Sequence, residues 1–159
     1  SKVFATDSPA ERIEACKGFG ADRVIDYNTE DFVEIVRNEA KGANVILDIV
    51  GGDYIARNIK ASAPDGRIVQ IAFNKGSKVE INLMPIMLKR LLFTGSTLRS
   101  RPDASKSAIA AQLREKVWPL IEAGKIKPAV NKTFPLEQAA EAHRLMESAT
   151  HVGKIILEV

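Results

Sequence analysis

Cysteine is almost absent from this 159-residue chain: Cys16 stands alone. That excludes a disulfide framework and any zinc site built on cysteines, and it fits a reducing cytoplasm. Histidine is nearly as scarce, with only His143 and His151. Neither has a carboxylate and a nucleophile at a spacing that would support a triad or a metal site. Aromatic residues make up 6% and do not alternate with basic ones, so a surface for single-stranded RNA ranks last. No block of five Lys or Arg occurs, and the formal net charge is only +3. Nucleic acid is therefore a poor fit, and a mildly basic cleft for an anionic cofactor explains the charge as well. No apolar run approaches the roughly 18 residues of a membrane span, and the first residues lack a basic stretch followed by an apolar one. The remaining composition, 45% apolar and 27% charged, is that of a soluble globular protein with one domain as the default.

From Lys2 to about Ala72, short apolar runs alternate with helical patterns, which predicts βαβ units and a parallel sheet covered on both faces. The predicted strands are Val3 to Thr6, Arg23 to Asp26, Val45 to Val50 and Arg67 to Ala72, each short and rich in β-branched residues. Helices are predicted from Pro9 to Gly18, Glu30 to Lys41 and Tyr54 to Ala63, the last closed by a Pro64-Asp65-Gly66 turn. Beyond it, Val79 to Asn82 reads as a brief strand, 83 to 91 as a short helix and 92 to 97 as another strand. A long helix is predicted over Asp103 to Ala123, bent at Pro119. A strand from Ala129, a helix from Leu136 to Glu147 and a strand from Lys154 close the chain.

In dinucleotide-binding folds a glycine-rich loop follows the first strand, and about 20 residues later an acid at the tip of the second strand takes the adenosine ribose. Asp7 occupies such a tip, so the loop is expected ahead of Ser1. Ser8 is the predicted cap of the next helix and Pro9 its first residue. Arg12, one turn in, and Tyr27, closing the next strand, would suit a ribose 2'-phosphate that Asp7 would repel. Asp7 also reads as a plain turn or capping residue. Gly51-Gly52 ends a buried strand, either as a close-approach site for a cofactor or as a tight turn. The segment from Ile71 to Gly76 repeats that arrangement at the next strand end.

The segments KVFATDSPAERIEACKGFGADRVIDYNTEDF, VILDIVGGDY, APDGRIV, TGSTLR, VWPLIEAGKIKP, FPLEQAAEAHRLMES and HVGKIILEV together resemble, in the same order, the zinc-independent quinone oxidoreductases (zeta-crystallin-like) of the medium-chain dehydrogenase/reductase superfamily. The resemblance implies the C-terminal half of a longer protein. Its fold would be α/β, a Rossmann-like doubly wound parallel sheet lacking its first strand, with residues 1–125 as the dinucleotide-binding domain and 126–159 returning to the catalytic domain. It implies hydride transfer from NADPH to a quinone or enone and a homodimer, and it implies no catalytic residue and no metal ligand in this half. The 2'-phosphate would meet Arg12 and Tyr27, and the nicotinamide carboxamide would meet backbone near Phe73 and near Ser96 and Thr97. Val50 and Gly51 would flank the adenosine side, and Lys154 would reach the cofactor from the returning segment. Asp7 looks more like the acid of NAD-linked alcohol dehydrogenases, which keeps NADH as the alternative.

Other residues read as packing. His143 lies on an apolar stripe with Leu136, Ala139, Ala140 and Met146 and is predicted to be a core histidine. Cys16 is predicted to be a small buried hydrophobe, and Trp118 to be core or interface. Arg99 and Arg101 read as a solvated loop or as a hold on substrate or phosphate. Without a first strand, the second and fourth strands lack a shared neighbour, so direct pairing between them or pairing with a second copy is expected to close the gap. This half alone is expected to be inactive. A non-catalytic nucleotide-sensing or dimerisation module is the alternative function.

Overall fold

The computed structural model describes residues 1–159. The chain divides into two units, Ser1–Ser100 and Arg101–Val159. In the first, strands β1 (Phe4–Asp7), β2 (Arg23–Asp26), β3 (Ala43–Asp48), β4 (Ser62–Gln70) and β5 (Leu92–Gly95) alternate with helices α1 (Ala10–Gly18), α2 (Phe32–Ala40), α3 (Tyr54–Ala61) and α4 (Met84–Lys89). Every pairing between these strands is parallel, as the alternating pattern requires. No helix in the molecule is long and apolar enough to cross a membrane.

Local chemistry explains the helices. Asp31 caps α2 by accepting the Val33 N–H at 2.9 Å, and Lys41 ends that helix in the left-handed region. Between those ends Phe32, Val33 and Val36 are buried on one face, the spacing of an amphipathic helix. In α3, Ile55, Asn58 and Ile59 face inward at the same spacing. Ser8 is not a helix cap. Pro9 takes the N-cap position with no side-chain bond, and the buried Ser8 hydroxyl instead accepts from Asn28 Nδ2 at 2.7 Å.

The strands form two hydrogen-bonded groups, β1-β2 and β3-β4-β5. The expected closure of the gap by direct pairing does not occur, since β1 and β3 share no ladder. Side chains join the groups instead. Phe4 and Ile25 from β1 and β2 pack in one cluster with Phe32, Val33 and Val36 of α2, Tyr54 and Ala61 of α3, and Ile46 of β3. A second cluster, Ile55, Ile59 and the fully buried Ile68, also takes in Ile46, together with Ile81, Ile86 and Leu91. The predicted strand at Val79 to Asn82 is absent. The open edges of this sheet are those of β3 and β5, and Ile81 joins neither: it contributes a packed side chain in place of a ladder. The Pro64-Asp65-Gly66 turn lies inside β4 and not before it. The register jumps from Ala43–Ser62 to Val45–Arg67, and Asp65, at φ 60°, marks the outward loop.

The second unit holds α5 (Asp103–Lys116), α6 (Trp118–Glu122), β6 (Val130–Pro135), α7 (Ala139–Glu147) and β7 (Lys154–Glu158), with β6 and β7 paired in parallel. The single long helix expected from Asp103 to Ala123 is two helices that meet at Val117. Pro119 has no N–H to give the turn before it, so the bend becomes a break. His143 is exposed, not a core residue, while Ala142 is buried and Leu145 half-buried. The face that α7 buries runs through Ala139, Ala142 and Leu145, one position off the predicted stripe, and leaves Ala140, His143 and Met146 toward solvent. Trp118 is 58% exposed.

Candidate functional site

The carboxyl ends of the first unit's strands face one way. The heads of α2 and α3, which follow β2 and β3, are tied by an Asp31–Arg57 ion pair at 3.2 Å and by stacking of Phe32 on Tyr54 with ring centres 5.4 Å apart. The Arg57 guanidinium lies 4.3 Å from the Phe32 ring centre and 5.0 Å from that of Tyr54, and Lys75 Nζ lies 5.1 Å from the latter. These are cation–π distances. Burial pushes the Tyr54 phenol up; Arg57 opposes it, while Asp53 and Tyr27 add to it.

At the tip of β1, Asp7 accepts from the Ser8 N–H at 2.8 Å and pairs with Arg12 Nε at 3.4 Å. The Arg12 Nε is buried yet not aligned to donate a hydrogen bond to any acceptor, so the contact is one of charge. Asp7 also sits at the head of α1, where the helix dipole favours an anion. The Cys16 Sγ lies 3.9 Å from Asp7 Oδ2. Burial first and Asp7 second push this thiol up, and the residue is half-buried, not fully buried. Tyr27 stands just past β2 and is 40% exposed.

The tips of β3 and β4 are laced together. Asn74 N–H donates to Ile49 O at 3.1 Å, Lys75 N–H to Val50 O at 2.7 Å and Gly52 N–H to Gly76 O at 2.9 Å. Gly51 (φ +69°) and Gly52 (φ +55°) both need the left-handed region, and a Cβ on Gly51 would lie 2.8 Å from both Gly76 O and the Phe73 ring. The glycine pair therefore makes room for the facing loop, and what it admits there is the chain's own backbone. Within the loop, the Val50 and Gly51 amides are both taken by Asp48. Val50 and Gly51 can thus offer a ligand packing contact but no free donor.

Beside this lace, a groove of about 500 Å³ is lined by Ile71, Phe73, Phe93, Gly95, Ser96 and Thr97. The structure brings together here three of the expected residues, Phe73, Ser96 and Thr97. Ser96 N–H is held by Gln70 O at 3.1 Å, whereas the Phe73 N–H has no acceptor within the chain. Lys154 opens β7 in the second unit, where its N–H bonds Ala129 O at 2.8 Å. Sequence reasoning missed Arg57, Asp48 and Gln70. Asp48 was visible as an acid inside an apolar strand, the usual sign of a buried polar network.

The strand order, the crossovers and the tip geometry define a Rossmann-like dinucleotide-binding fold. Residues 19–157 match the family described as zinc-binding dehydrogenase, and the chain belongs to that family. It is 29% identical to a 2-haloacrylate reductase of a Burkholderia species, covering 98% of this chain and 47% of the relative. It is 28% identical to the quinone oxidoreductase of Rattus norvegicus, covering 98% and 46%. Among solved structures it resembles an NAD-dependent alcohol dehydrogenase with a TM-score of 0.80 at 34% identity, covering 99% of this chain and 44% of that one. The chain spans about half the length of the curated relatives it matches. Its own donors do not fit zinc: no group of three or more His, Cys, Asp or Glu could hold a metal ion.

Proposed function

We propose that this chain is the cofactor-domain part of an NADPH-dependent reductase of quinones or enones, working without zinc at these residues. The observation that carries the reading is that Phe73, whose N–H has no acceptor within the chain, lines a largely apolar groove together with Ser96 and Thr97. A backbone donor beside an apolar wall suits a planar carboxamide-bearing ring, which packs on one side and accepts a hydrogen bond. Val50 and Gly51 would pack against the adenosine side. The bound nicotinamide supplies a hydride for a conjugated carbonyl, and this chain's residues hold its ring in line and keep water away.

The preference for NADPH rests on Arg12 in the first turn of α1, paired with Asp7 at the tip of β1, and on Tyr27 just past β2. Arg12 carries a buried Nε without an aligned acceptor, so a 2'-phosphate would complete its bonding. What it gives up is the contact with Asp7, a partly exposed pair worth no more than about 1 kcal/mol. NADH remains the alternative because Asp7 is the residue type that accepts ribose hydroxyls. Lys154, the assignment of residues 126–159 to the catalytic domain and a homodimer belong to the same proposal. Residues 1–159 by themselves are expected to turn over no substrate.

The test is fluorescence titration of the full-length protein with NADPH and NADH. The reading expects saturable binding of both, tighter for NADPH, with Arg12→Ala losing about tenfold for NADPH and little for NADH. Loss of equal size for both cofactors removes the 2'-phosphate assignment, and no binding of either removes the cofactor domain.

A further inference from the structure

Asp48 is 4% exposed and has no cationic partner. Its carboxylate is held entirely by neutral donors: Oδ1 accepts the Val50 N–H at 2.6 Å and the Gly51 N–H at 3.3 Å, and Oδ2 accepts Asn58 Nδ2 at 2.9 Å. Asn58 is itself 3% exposed and rides on α3, a packed helix. A buried charge is costly unless several hydrogen bonds compensate it. Here the compensating bonds fix the shape of one turn.

Gln70 does the matching work from the neighbouring strand. It is 4% exposed, and its Nε2 donates to Asp48 O at 3.3 Å and to Ala72 O at 2.6 Å. Both neighbours are carbonyls, so the orientation of the amide follows from the bonding. The same orientation leaves Gln70 Oε1 buried without a partner. A hydrophobic side chain would avoid that unsatisfied oxygen, so the two bonds to loop carbonyls are what the residue contributes. Ser96 N–H in turn bonds Gln70 O, which brings the tip of β5 onto the same residue.

We propose that Asp48 and Gln70 are positioning residues for cofactor binding: one buried network, anchored on α3 through Asn58, sets the Val50–Gly51 turn and the Ala72–Phe73 segment in register. Asp48 does not line the groove, and Gln70, which is part of its wall, turns its amide N–H donors to backbone carbonyls. The assignment rests on the reading of the strand tips as the dinucleotide cleft. Its signature is separable from mere support of the fold, because Asp48 acts through acceptor geometry and not through charge. An Asn at position 48 keeps Oδ1 for both amides and needs only a rotated Asn58 amide to satisfy its other end.

The experiment compares Asp48→Ala, Asp48→Asn and Gln70→Met in the full-length protein. Amide hydrogen exchange at Val50 and Gly51 reads the network, and titration with NADPH and NADH reads the cleft. The expected result is about tenfold faster exchange and about tenfold weaker binding in Asp48→Ala, with Asp48→Asn restoring both to within a few-fold of the parent. Gln70→Met, close to the parent in volume, is expected to weaken binding while leaving the Val50 and Gly51 amides protected, and it carries the test alone if Asp48→Ala fails to fold. Unchanged affinity in Asp48→Ala or Gln70→Met overturns the assignment, as does an Asp48→Asn as impaired as Asp48→Ala. A parent protein that binds neither dinucleotide overturns the underlying reading of the cleft instead, and the exchange data then report the network without a ligand role.

Discussion

Replacing Gly51 with alanine tests the lace between the β3 and β4 tips directly. Two effects add at this position. At φ +69° an L side chain pays about 1–2 kcal/mol for the left-handed region. The new Cβ would then lie 2.8 Å from the Gly76 carbonyl oxygen, 2.8 Å from the Phe73 ring and 3.2 Å from Phe73 Cα. Two of those atoms are backbone and cannot step aside as a flexible side chain would, so overpacking adds about 1–3 kcal/mol. The expected loss is about 2–5 kcal/mol of unfolding free energy. Gly76→Ala is the control. Its φ is also positive, at +96°, but nothing lies within 4 Å of the added Cβ, so only the conformational part, about 1–2 kcal/mol, is expected there. Urea unfolding followed by circular dichroism measures both. Because Phe73 must move in Gly51→Ala, dinucleotide titration should show weaker binding in that variant and near-parental binding in Gly76→Ala. Equal destabilisation by the two changes would refute the steric part of the reasoning, and unaltered stability of Gly51→Ala would refute all of it.

Two further outcomes follow from the helix ends. The Asp31 carboxyl is held below its ordinary value, first by the Val33 N–H it caps and then by Arg57. A depressed carboxyl contributes stability above its unfolded pKa, near 3.9, and loses it as pH falls through the lower folded value. Asp31→Ala should therefore cost about 1 kcal/mol at pH 7 and progressively less in urea melts below pH 4; a penalty independent of pH would contradict the cap. Lys89 Nζ donates to the carbonyls of Ile59, Lys60 and Ser62 at 3.1, 3.0 and 2.8 Å, closing the end of α3, and Lys89→Met is expected to lower stability by about 1–2 kcal/mol. A melting temperature equal to the parent's would show that water serves those carbonyls as well.

The parallel strands were legible because each is a short β-branched run next to a helical stretch, and burial on both faces writes itself into such runs. Strand tips follow from that, so Asp7, Tyr27, Val50, Phe73 and Ser96 could be placed at one end of the sheet without coordinates. Other features depend on partners that sequence does not rank. Gly51-Gly52 permits either a ligand or a neighbouring loop, and only the position of Gly76 decides between them. Ser8 is a good cap by residue type, yet the amide of Asn28 engages its hydroxyl from 20 positions away. His143 shares a helical period with Ala140 and Met146, but the face that α7 buries is the neighbouring one through Ala139, Ala142 and Leu145. Val79 to Asn82 has strand composition, yet Ile81 is used as a packed side chain in the second cluster and not in a ladder.

The lace between the β3 and β4 tips gives this rim a polarity. With the amides of Val50, Gly51 and Gly52 all turned to internal acceptors, an anion arriving there finds no free backbone donor and only the Lys75 and Arg57 side chains as cations, while the Phe73 N–H has no acceptor within the chain. Backbone donors along this rim are thus withheld beside the glycine pair and left open at Phe73.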